Sequence, residues 1–148
     1  MFKIAKLTNV NHETVDISLG TQTQKKTKEG ENTTQETFKI LCFNIHGKID
    51  HNEYDFSFKL NCKLEELLKF PDGEMVDFNQ YIFYGETILS IKGLYNIIDP
   101  RVNAKIVRYL NHKFTIFLTF YTDEYYHQND SYSGMIEISF DLDDYLGK

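Results

Sequence analysis

Histidines and acids gather in three places in the sequence, each offering a fragment of a known kind of chemistry. His46 and His51, with Asp50, Glu53 and Asp55 beside them, supply nitrogen and oxygen donors for a metal if the turn between them folds back on itself. The same residues suit a solvated hairpin turn, and that reading is preferred. His12-Glu13-Thr14-Val15-Asp16 begins like a zinc-protease helix, yet Asp16 stands where the second histidine ligand is needed and the segment alternates like a strand. Asp141-Leu142-Asp143-Asp144 opens with calcium-loop spacing but lacks the glycine and distal glutamate of such a loop, so it reads as an acidic strand end.

The chain contains no Gly-x-Ser-x-Gly elbow, phosphate-binding loop, dinucleotide glycine fingerprint or paired Cys-x-x-Cys. A non-catalytic protein without metal or cofactor is therefore the expectation. The two cysteines, Cys42 and Cys62, form no dense framework and are expected as buried free thiols in a reducing compartment.

The segment with the most distinctive composition is Tyr121 to Gly134, which joins two strand patterns. Tyr125, Tyr126 and Tyr132 offer large amphipathic contacts with little rotamer freedom to lose, and serine, asparagine and glycine around them adapt their hydrogen bonding. Asp123 and Glu124 add negative charge at its start, and Glu137, Asp141, Asp143 and Asp144 extend it along the last strand. These features suit a protein partner, with a basic one favoured by charge. Rings that merely cover the end of the fold explain the tyrosines about equally well, and ordinary solubility explains the acids.

The elements that must position these residues are mostly strands. Val15, Ile17 and Leu19 alternate with polar residues, as do Tyr54, Phe56, Phe58 and Leu60, and then Ile136, Ile138, Phe140 and Leu142. Phe38–Ile45 is apolar on both faces, as in a covered central strand, and Phe114–Tyr121 is the strongest β pattern in the chain. Residues 2–8 repeat the alternation more weakly and are expected to form an opening hairpin with residues 14–19. A further hairpin is expected from Tyr81–Tyr84 and Thr87–Ile91.

Leu64, Leu67 and Leu68 recur at helical spacing after Asn61, a capping residue, and before Phe70-Pro71, which predicts one short helix at 62–69. Residues 100–111 fit a helix opened by Asp99-Pro100, and fit a strand by their β-branched content; the strand is preferred. From Gly20 to Glu36 the only side chains are polar, so residues 20–36 are expected to be a mobile loop with nothing to bury.

Together these elements predict a mainly β fold: an antiparallel β-sandwich, or a strongly bent sheet, of about eight strands in one domain spanning 1–148. No apolar run approaches the length of a membrane span, and the start of the chain lacks the features of a signal peptide, so a cytoplasmic location is expected. The net charge of -6 and the presence of only two arginines, Arg101 and Arg108, disfavour nucleic-acid binding. Abundant Ile, Asn, Lys, Phe and Tyr with only two alanines match A/T-rich coding, hence a bacterial or phage origin.

The leading functional expectation is a non-catalytic interaction module, such as a small inhibitor or neutralising protein from an accessory locus. Alternatives are a structural subunit of a phage particle or other assembly, and an enzyme or small-ligand carrier with an aromatic pocket between its sheets. In the last case Tyr54, Tyr81, Tyr84 or His46 would supply the polar groups. The sequence leaves the oligomeric state open.

Overall fold

A computed structural model describes residues 11–27, 33–49, 52–83, 86–91, 95–98, 100–121 and 133–147. Alternation decides the strands. β1 (Asn11–Thr27) and β2 (Thr33–Ile49) run antiparallel, and β3 (Asn52–Lys59) pairs with the other side of β2. Their registers stack Ile17, Phe43 and Phe58 in one row and Val15, Ile45 and Phe56 in the next, all on one face. β5 (Ile88–Ile91) and β6 (Tyr95–Ile98) complete a five-stranded sheet of order β1-β2-β3-β5-β6. The second sheet holds β4 (Met75–Asp77), β7 (Arg101–Tyr109), β8 (Lys113–Tyr121) and β9 (Ser133–Asp141), in the order β4-β7-β8-β9.

The two sheets pack face to face through their phenylalanines. Phe43 of β2 meets Phe140 of β9 edge-on at 5.7 Å between ring centroids, and Phe56 of β3 stacks on Phe120 of β8 at 5.0 Å. Phe56, Phe114, Phe120, Ile116, Leu118 and Ile136 are all fully buried. These contacts make the molecule the expected mainly β, antiparallel sandwich. They also fix its layout, with β9 lying over β2 and β8 over β3.

Several local expectations are revised. Residues 20–27 and 33–36, expected as part of a loop, are strand: the β1–β2 ladder continues unbroken from Gly20↔Ile40 to Thr27↔Thr33. A ladder satisfies peptide groups without burying side chains, and threonine suits it. Thr23 and Thr37, opposite in register, share a hydroxyl hydrogen bond of 3.0 Å. Residues 28–32, within the expected loop, and 2–8, in the expected opening hairpin, lie outside the described residues.

The expected helix at 62–69 is a 3-10 turn, Leu64–Lys69, whose preceding residue is Lys63, with no side-chain cap. Leu64 and Leu67 are its buried residues, and that three-residue spacing matches the 3-10 period. Residues 101–109 of the ambiguous 100–111 segment are β7, because every residue from Arg101 to Tyr109 finds a partner on β8.

Of the expected hairpin Tyr81–Tyr84 with Thr87–Ile91, Tyr84 lies outside the described residues, and the described part, residues 81–83, does not pair with β5. Residues 79–81 form a 3-10 turn, and the chain then follows the end of β3, with Ile82 bridged to Leu60 and Phe83 N–H donating to Lys59 O at 3.1 Å. β5 pairs instead with β3 and β6. No helix among the described residues is long and apolar enough to cross a membrane.

Candidate functional site

The root of the tyrosine-rich segment is well defined. Tyr121, which ends β8, faces Ser133, which begins β9, so the described residues on either side of 122–132 are adjacent in the sheet. Tyr125, Tyr126, Tyr132, Asp123 and Glu124 lie outside the described residues. The sheet surface around Tyr121 and Ser133 is described.

That surface is the outer face of the four-stranded sheet. Inward residues of β8 and β9 fill the core, so by the alternation of a strand their neighbours point outward. Tyr121 is 45% exposed and Met135 42% exposed, and they are diagonal neighbours, because Tyr121 faces Ser133 while Met135 faces Thr119. The half-buried Phe117 continues the same face between Lys105 and Glu137. The guanidinium of Arg101 lies 5.5 Å from the Tyr121 ring centroid, and its Nη1 donates to Tyr121 Oη at 3.1 Å. Two contacts from one arginine hold the ring at the sheet end. Further along, Thr115 and Ser139 share a hydroxyl hydrogen bond of 2.9 Å that ties β8 to β9.

The electrostatics of this face are mixed rather than acidic. Glu137 sits in a row with Phe117, Lys105 and Asp77, and Asp141 faces Lys113. Sequence order alone exposed the acids of the last strand; pairing brings lysines from β7 and β8 beside them. The acidic strand end is tied down as well. His112 Nδ1 and Asp143 Oδ1 lie 2.6 Å apart, and Asp141 Oδ1 accepts from Asp143 N–H at 3.0 Å.

The remaining candidate chemistry is dispersed. His46 Nδ1 and Asp55 Oδ1 lie 2.7 Å apart on the outer face of the larger sheet; Asp50 and His51 are outside the described residues. Among the described residues no three histidine, cysteine or acidic groups converge. His12 and Asp16 lie along β1. Tyr54 is packed among core rings, 6.2 Å from Phe120, while Tyr81 is half-buried against Phe70 and Phe78. Tyr84 is outside the described residues.

Both cysteines are free, but only Cys62 is fully buried; Cys42 is partly exposed. Burial raises both thiols, Cys62 to about 12, so neither is a ready nucleophile.

Arg108 was invisible as a structural residue in the sequence. Its guanidinium donates to the carbonyls of Leu68 at 2.6 Å, Phe70 at 3.0 Å and Asn111, joining the 3-10 turn to the β7–β8 hairpin. Only the rarity of arginine in the chain hinted at it.

Comparison with protein-family models, with curated proteins and with solved structures finds no match.

Proposed function

We propose that the protein is a non-catalytic interaction module that binds another protein through the outer face of its four-stranded sheet and the tyrosine-rich segment 122–132. The observation that carries this reading is the exposed pair Tyr121 and Met135 beside the ends of the segment, on an antiparallel sheet. Aromatic and methionine side chains are enriched at interface centres, and a ring already held by Arg101 loses little entropy on binding.

Tyr125, Tyr126 and Tyr132 would add the main anchors, with Asp123 and Glu124 steering a basic partner. A small inhibitor or neutralising protein fits this arrangement, since its activity needs a surface rather than a catalytic centre.

The test is site-specific photocrosslinking in the source cells. A crosslinker at position 121 or 135 should yield one dominant protein adduct, and a crosslinker at Ser57, on the far face of the other sheet, should not. Equal adducts from all three positions would argue against this face.

A further inference from the structure

Each sheet ends on one short strand and one long one. β6 and β4 are four and three residues long, the usual way of blunting an edge, whereas β1 runs for 17 residues and β9 for 9. Because β9 lies over β2, the two long edges occur on the same side of the sandwich, and β1 extends one strand beyond the smaller sheet.

Among the described residues no strand pairs with the outer edge of β1, and from Val15 to Gln24 that strand carries a single charge, Asp16. Its one register irregularity is near its start, between His12 and Thr14; from Val15 to Thr27 the ladder is regular and free of proline. Val15, Ile17 and Leu19 remain only partly buried there. Beyond Gly20, β1 and β2 continue as a two-stranded arm to which no third strand is added among the described residues. Such a ribbon alone is marginal in water.

The halves of β1 are complementary to each other. Asn11–Leu19 carries Glu13 and Asp16 and no lysine or arginine, whereas Gly20–Thr27 carries Lys25 and Lys26 and no acid. Antiparallel self-pairing sets acidic half against basic half, while parallel pairing sets like against like.

With a two-fold axis at Gly20, Leu19 faces Thr21, Ile17 faces Thr23, and Val15 faces Lys25 of the other copy. Inward positions meet inward positions, and Asp16 falls diagonal to Lys26. Each arm then covers the half-exposed apolar row of its neighbour and gains the third strand it lacks.

We infer that β1 pairs antiparallel with β1 of a second copy of this chain, joining two sandwiches into a two-fold dimer. This surface is separate from the outer face proposed above, so either stands without the other. Closed two-fold pairing is the commonest form of self-association, and here it covers the longest edge left unpaired among the described residues of each copy.

Sedimentation velocity on the full chain, across a concentration series, decides the matter. Wild type should shift from monomer to dimer. Lys25→Glu with Lys26→Glu makes the strand wholly acidic, and Glu13→Lys with Asp16→Lys makes it wholly basic. Each variant alone should dimerise roughly tenfold more weakly or worse, and an equimolar mixture of the two should recover the dimer.

Circular dichroism confirms that both variants fold. A wild type that stays monomeric overturns the inference, as does a wild-type dimer that both variants retain unchanged. Dimerisation that appears only after removal of residues 1–10 would show that this segment, rather than a second copy, occupies the edge, and would overturn it too.

Discussion

Tyr54 and Cys62 place titratable groups inside the core, and both respond to alkali in the same direction. Cys62, ordinarily near 9.0, is held protonated to about 12 in the folded chain. Above pH 9 the unfolded chain therefore binds fewer protons than the folded one, and stability falls as pH rises. The contribution is fully present below pH 9 and lost by about 12. Tyr54, raised by burial, adds to the fall from about pH 10 upward. Urea midpoints measured across this range should drop, and Cys62→Ala should flatten the lower part of the curve. Tyr54 Oη is buried without a hydrogen-bond partner among the described residues, so Tyr54→Phe should leave stability unchanged or raise it by about 1 kcal/mol. A larger loss would reveal a bond that the described residues do not contain. Gly20 has a specific role: a Cβ added there would stand 2.7 Å from Cys42 Sγ. Gly20→Ala should destabilise the wild type more than it destabilises Cys42→Ala, with a coupling on the order of 0.5–1 kcal/mol in a double-mutant cycle. The sequence marks Gly20 only as the end of an apolar alternation, because the contact depends on the cross-strand register.

At the scale of elements, β3 was the most legible. Tyr54, Phe56, Phe58 and Leu60 alternate with polar residues because one face of the strand is core, and all four are buried. Phe56→Ala, Phe58→Ala or Phe120→Ala should each cost about 3–5 kcal/mol in chemical unfolding, from lost transfer energy and the cavity left behind. Residues 20–27 and 33–36 are strand where the sequence suggests loop, for the opposite reason. Their pairing rests on peptide hydrogen bonds, which leave no hydrophobic period in the sequence. Lys63 anchors the base of this arm by pairing with Glu36 and lying over the Phe38 ring at 5.5 Å. Replacing residues 21–35 with a short glycine turn keeps that anchor and should preserve the sandwich, with little change in midpoint. Loss of the native circular dichroism spectrum would show that the arm supports the core. The failed Tyr81–Tyr84 hairpin has a similar lesson: adjacent apolar runs do not reveal that the end of β3 offers the better partner.

For the whole molecule, two aromatic faces closed against each other account for the sandwich, and this much the alternation announced. The candidate surface was legible only in part. Tyrosine content pointed to the segment after β8, but Met135, Phe117 and Arg101 join Tyr121 through strand pairing alone. The mixed charge of that face likewise arises from neighbours distant in sequence. If that surface binds a protein as proposed, aromatic anchors should dominate its energetics. The most direct measurement is surface plasmon resonance with the crosslinked partner, purified and immobilised, against wild type and the folded Tyr125→Ser, Tyr126→Ser, Tyr132→Ser variant. The variant should lose at least about 2 kcal/mol of binding, roughly thirtyfold in Kd, chiefly through faster dissociation. Unchanged affinity in a variant that retains its β-sheet spectrum would contradict the proposed binding.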